Sequence, residues 1–81
     1  MATGFGFARS GGALITDVQP SGAADRAAVQ PGYRIIAIDD AQIGSAEEAR
    51  RALRRLRRGH VASLLLQAPD ESTLIFNIRV P

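Results

Sequence analysis

Cysteine and lysine are absent from this 81-residue chain, histidine occurs once, and no apolar run is long. Without cysteine, disulfide staples and thiolate metal sites are excluded. Compartment stays open, because a cysteine-free domain is viable in oxidising and reducing surroundings alike. The lone His60 has no cluster of His, Asp or Glu with it, so neither a metal site nor a cofactor is expected. No run approaches the roughly 20 apolar residues that span a bilayer, so no direct membrane insertion is expected. The opening Met1-Ala2-Thr3-Gly4-Phe5-Gly6 lacks the charged-then-apolar pattern of a signal peptide. Met1 is read as the start of a segment, which leaves export of a longer parent open.

Catalytic signatures are missing too. No Gly-x-Ser-x-Gly occurs, and the serines have no His–Asp relay. Gly4-x-Gly6 has no third glycine and no following helix, so it is not a phosphate loop. Asp39-Asp40 reads as a turn, where Asp is favoured, rather than an acid–base pair. Catalytic residues are therefore expected to be none.

What is present is an ordinary globular composition, 46% hydrophobic and 22% charged, which argues against disorder. The length fits one domain over residues 1–81. The net charge is +2, and every basic residue is Arg. Six of the arginines lie between Arg50 and Arg58, so the basic character is local. That cluster reads as a solvated helix face. Glu47 and Arg51 form an i,i+4 pair in the favourable order, and arginines near a helix end complement its dipole. Nucleic-acid binding would call for interleaved aromatics, and the single Tyr and three Phe lie elsewhere.

Element signals follow in order. Gly4-Phe5-Gly6-Phe7-Ala8-Arg9 leads into a short strand, and Ser10-Gly11-Gly12 turns. Ala13 to Val18 reads as a strand. Ser21 is expected to cap a short helix over Ala23 to Val29, closed by Pro31-Gly32. Arg34 to Ile38 is a buried strand, and Ala41-Gln42-Ile43 is briefly extended. Ser45-Ala46-Glu47-Glu48 is a capping box, with Ala46, Ala49, Leu53 and Leu56 at helical spacing and Gly59 expected as the stop. His60 to Gln67 and Thr73 to Val80 are strands around the turn Pro69 to Ser72. This predicts an α+β, mostly β fold: a five- to six-stranded antiparallel partial barrel or sandwich capped by two helices.

Ordered segments across nearly the whole chain resemble the PDZ domain family. Gly4-Phe5-Gly6-Phe7 is similar to its Gly-Leu-Gly-Phe carboxylate loop. Pro20-Ser21-Gly22-Ala23-Ala24 resembles its first helix start, Val29 to Ile38 its strand entry, and Ser45 to Leu56 its groove helix. Little precedes the loop, and a strand ends the chain. That order resembles the permuted bacterial arrangement of HtrA/DegP-like serine proteases, and the closing pattern Ala62 to Gln67 followed by Thr73 to Phe76 looks most like their C-terminal, second PDZ domain. Three positions depart from the pattern: Arg9 for an aliphatic groove residue, Tyr33 for an Asp, and Ala28 for a common Gly.

The resemblance implies a peptide-binding module working by β-augmentation. A ligand carboxylate would meet the loop Gly4, Phe5, Gly6 and Phe7. The groove would be lined by Ala8, Arg9, Ala46, Ala49, Arg50 and Leu53. Ala46 implies a hydrophobic rather than hydroxyl preference, and Arg50 a taste for acidic ligand residues. The fragment would not be an enzyme. Its partners would be peptide or protein C-termini and the parent's protease domain, with no nucleic acid. The parent would be a homo-oligomeric periplasmic hydrolase, a trypsin-like serine endopeptidase in protein quality control. The alternatives are a structural PDZ domain mediating subunit or domain contacts, and a PDZ domain of another envelope protease or secretion component.

Overall fold

Helix α2 (Ala46–Arg54) shows how local chemistry sets an element in this chain. Ser45 sits at its N-cap in extended conformation, and its hydroxyl accepts from Glu48 N at 3.1 Å. The Glu48 carboxylate reaches back to Gly44 N at 3.3 Å, one residue beyond the usual capping-box partner. Ala46, Ala49 and Leu53 are buried on one face, while Glu47, Glu48, Arg51 and Arg54 face water. The Glu47–Arg51 pair forms at 3.4 Å with both side chains more than half exposed, so its contribution is small. The helix ends at Arg54, not at Gly59. Its last turn tightens, with Arg55 N donating to Ala52 O and Leu56 N to Leu53 O, and Leu56 then packs on the core. Gly59, at φ +76°, instead turns the chain toward the next strand and donates to Val80 O at 2.9 Å.

The computed structural model describes residues 5–8 and 12–80. Besides α2 it contains β1 (Phe5–Phe7), β2 (Ile15–Val18), α1 (Ala23–Arg26), β3 (Arg34–Ile38), β4 (Ala41–Gln42), β5 (Val61–Gln67) and β6 (Thr73–Arg79). All pairings are antiparallel. One sheet has the order β1-β2 and the other β4-β3-β5-β6. Backbone bonds from Ile15 N to Tyr33 O and from Gly32 N to Ile15 O stitch β2 to the entry of β3. The result is the mostly β, PDZ-like α+β architecture with two helices that the residue patterns predict.

Strand alternation builds the core. Ala62, Leu64 and Leu66 of β5 point inward, and Val61 and Ser63 point out. Ile78 joins them from β6. Each fully buried aliphatic side chain contributes about 1.5–3 kcal/mol. Strand β3 breaks strict alternation: a bulge between Ile35 and Ala37 lets both Ile35 and Ile38 turn inward, three residues apart. Tyr33, departing from a family Asp, packs edge-on to Phe76 with centroids 5.6 Å apart.

Two turns are pinned by aspartates. Asp39 N donates to Ser63 O, Ser63 N donates to Asp39 Oδ1 at 2.9 Å, and His60 Nε2 lies 3.3 Å from Asp39 Oδ2. In the β5–β6 turn, Ser72 donates to Asp70 Oδ1 from its hydroxyl at 2.6 Å and from its N–H at 3.0 Å. These bonds, the hydroxyl's first, hold the Asp70 carboxyl below its usual pKa.

Helix α1 corrects two expectations. Its N-cap is Gly22, with no side-chain cap, because Ser21 takes φ +62° and donates its own N–H to Asp25 Oδ2 at 2.9 Å. The helix also stops at Arg26 rather than Val29. Ala28 N donates to Asp25 O and Val29 N to Ala24 O, the two bonds of a Schellman ending, and Ala28 occupies its left-handed position at φ +67°. A side chain there costs about 1–2 kcal/mol, which glycine avoids at some cost in unfolded-state entropy. Ala28 is exposed, so no packing is lost on its removal. We therefore expect Ala28→Gly to stabilise the domain by about 0.5–1 kcal/mol. In urea unfolding the midpoint should rise with an unchanged slope; a falling midpoint would count against the strain.

Candidate functional site

The groove candidates converge from two elements, β1 and α2. Strand β1 pairs with β2 through Phe5↔Val18, Gly6↔Asp17 and Phe7↔Ile15, with a bulge between Gly6 and Phe7. A Cβ at Gly6 would come 3.0 Å from Cβ and Oδ2 of Asp17, so glycine is what lets the two strands approach. Ala8 N donates to Leu14 O at 3.0 Å. Both polar groups of Ile15 are spent on Tyr33 and Gly32, on the side of β2 away from β1. Phe7, opposite Ile15, therefore turns its N–H away from β2. Among the described residues β1 has a hydrogen-bonded partner on one side only. Gly4 and Arg9 lie outside the described residues.

The side chains sort into floor and flank. Phe5 is 1% exposed and belongs to the core. Phe7 is half-buried, its ring 6.0 Å from that of Phe5 and tilted 39° to it. From α2, Ala46, Ala49 and Leu53 turn into the core beneath the helix. Arg50, also half-buried, reaches across: its Cζ lies 5.6 Å from the centroid of Phe7. This cation–π contact joins the helix to the open strand. Among the described residues Arg50 has no carboxylate partner.

Sequence reasoning places Phe7 and Arg50 in one groove but does not pair them. The available signal was an aromatic on the strand facing a cation one turn into the helix. A second concavity, about 470 Å³, lies at the other end of α2 between Ala52, Leu56 and the Asp39–Ala41 turn. Its best-placed acceptor, Asp39, is already engaged by Ser63 and His60. Among the described residues no group of three or more His, Cys, Asp or Glu could hold a metal ion. No helix is long and apolar enough to cross a membrane among those residues.

A small α+β domain with an open strand edge beside an amphipathic helix defines a class: a module built to receive another chain. The PDZ domain family matches residues 14–68, from the bridge before β2 to the end of β5, and the chain belongs to that family. PDZ domains are non-catalytic interaction modules that bind peptide or protein C-termini. No curated protein matches the chain. Strand β1, which carries Phe5, Gly6 and Phe7, precedes the matched residues.

Proposed function

We propose that residues 1–81 form one PDZ domain that binds extended C-terminal segments by strand addition along β1, in the groove between β1 and α2. The observation that carries this reading is the one-sided pairing of β1, with the Phe7 N–H turned toward its open edge. Backbone bonds would give sequence-tolerant affinity, and alternate ligand side chains would enter the groove. The carboxylate would lie against the amides of Phe5, Gly6 and Phe7, with Gly4 completing the loop. Ala8 would continue the strand, beside Ala46, Ala49, Arg50 and Leu53 of α2. The parent would be an HtrA/DegP-like serine protease of the periplasm, a homo-oligomer whose protease domain receives the bound substrate. Its support is the strand order, in which β6 follows β5 in the chain and pairs beyond it at the end of the four-stranded sheet. An upstream Ser/His/Asp protease domain in the parent gene would test that placement.

The binding test is an NMR titration of the chain with short peptides ending in hydrophobic residues. Amide shifts at Phe5, Gly6 and Phe7 and along α2 support the groove. Silence there up to about 1 mM peptide, where binding free energy falls to about 4 kcal/mol, counts against it.

A second reading has an observation of its own. Arg50 is already engaged with the Phe7 ring, as it would be in a domain whose role is assembly contact. One variant separates the two. If the groove is functional and Arg50 selects acidic ligand residues, Arg50→Ala weakens acidic peptides by roughly two- to fivefold, the worth of one exposed cation contact. Neutral peptides should then be unaffected. If Arg50 closes the groove, the same variant tightens every peptide alike.

A further inference from the structure

Strand β6 is a second open edge, unrelated to the groove. Among the described residues it pairs with β5 only, in an unbroken register from Thr73↔Gln67 to Arg79↔Val61. The backbone hydrogen bonds at both ends fix which way its backbone faces. Ala68 N donates to Ser72 O, and Val80 N donates to His60 O. By antiparallel alternation the N–H and C=O groups of Leu74, Phe76 and Ile78 face β5, and those of Thr73, Ile75, Asn77 and Arg79 face outward.

Open edges in native sheets are normally blunted by lysine, proline, a bulge or an inward charge. Strand β6 has none of these; helix α1 packs near it, and Thr73, Leu74 and Ile75 stay exposed. The strand's only charge, Arg79, stands at its end. The exposed large hydrophobics among the described residues are Val61, Leu74 and Ile75, all on β5 and β6, with Ile75 71% exposed.

We propose that the β6 edge is a homodimer surface, occupied by β6 of a second copy in antiparallel two-fold pairing. The strand's own sequence is what fits this occupant. A two-fold centred on Ile75 sets Ile75 against the second copy's Ile75 and Thr73 against its Asn77, and all of these present outward backbone groups. Apolar meets apolar at the centre and polar meets polar beside it. The same register brings the Asp70–Glu71 turn of each copy beside Arg79 of the other, opposite charges at both ends. The hydrogen bonds donated by Ser72 favour the charged form of Asp70. The two four-stranded sheets become one continuous sheet across an isologous interface.

Sedimentation equilibrium of the whole chain, from micromolar to about 1 mM, tests this. The expected result is a monomer–dimer equilibrium that Ile75→Lys weakens by at least about tenfold, since a charge then meets its own copy on the two-fold. Ile75 is exposed, so thermal unfolding should show the variant monomer still folded. Arg79→Glu should weaken the dimer, and adding Glu71→Arg should restore it. Amide exchange should slow with concentration at Thr73, Ile75 and Asn77 and not at Leu74, Phe76 and Ile78. A chain still monomeric at the top of the range overturns the proposal, as does a dimer indifferent to Ile75→Lys.

Discussion

Phe5→Ala is expected to cost about 3–5 kcal/mol of stability. A chain of 81 residues commands roughly 4–12 kcal/mol in total, so the loss takes at least a quarter of it and all of it at the low end of that range. Phe5 is 1% exposed and is the largest fully buried side chain. It packs in the same core cluster as Ile15, Ile35, Leu64, Leu66 and Ile78. Truncation removes the ring's burial and leaves a void that a small two-sheet core cannot collapse around. Phe7→Ala should cost under about 2 kcal/mol, because its ring is half-buried and already partly in water. Urea unfolding followed by circular dichroism measures both. A Phe5→Ala cost near that of Phe7→Ala would mean that the Phe5 ring is not a core element. The contrast also matters for the groove: peptide binding lost in Phe5→Ala reports unfolding, whereas binding lost in Phe7→Ala reports the site.

The same residues explain how much the sequence discloses. The capping box at Ser45 and Glu48 and the alternation of β5 are local patterns, so α2 and the central strands are legible directly. The groove helix is legible for the same reason, since Ala46, Ala49 and Leu53 recur at helical spacing. Ser21 misleads, because its side chain suits a cap while its backbone takes the left-handed region and gives the cap to Gly22. Gly59 misleads likewise: a glycine after a helical run signals a stop, but the last turn of α2 had already tightened onto the core at Leu56. The bulge in β3 has no residue signature, since it answers to where Ile35 and Ile38 must point. The Phe7–Arg50 contact joins residues far apart in sequence, and only the packing of α2 beside β1 creates it. Ala28 is the instructive case. It is visible in the sequence as a departure from a common glycine, and its positive φ supplies the reason why glycine is common there.

Amidating the C-terminus of a groove ligand is expected to lower its affinity by roughly 30- to 150-fold. The reasoning runs through the donors. Bonds to a charged acceptor are worth about 1 kcal/mol more each than bonds to a neutral one, and two or three convergent amides at Phe5, Gly6 and Phe7 make the difference about 2–3 kcal/mol. The Phe7 N–H, turned from β2 toward the open edge, is the donor best placed to make such a bond. Isothermal titration of matched acid and amide peptides gives the ratio. Arg50→Ala then decides where the charge is read. Arg50 lies over the Phe7 ring and has no carboxylate of its own among the described residues. If backbone amides hold the ligand carboxylate, the acid-to-amide ratio survives Arg50→Ala unchanged, even as preference for acidic side chains upstream falls. A ratio that collapses toward one in the variant would move carboxylate recognition from the β1 amides to the guanidinium. A ratio near one in the parent domain would remove carboxylate recognition from the groove altogether.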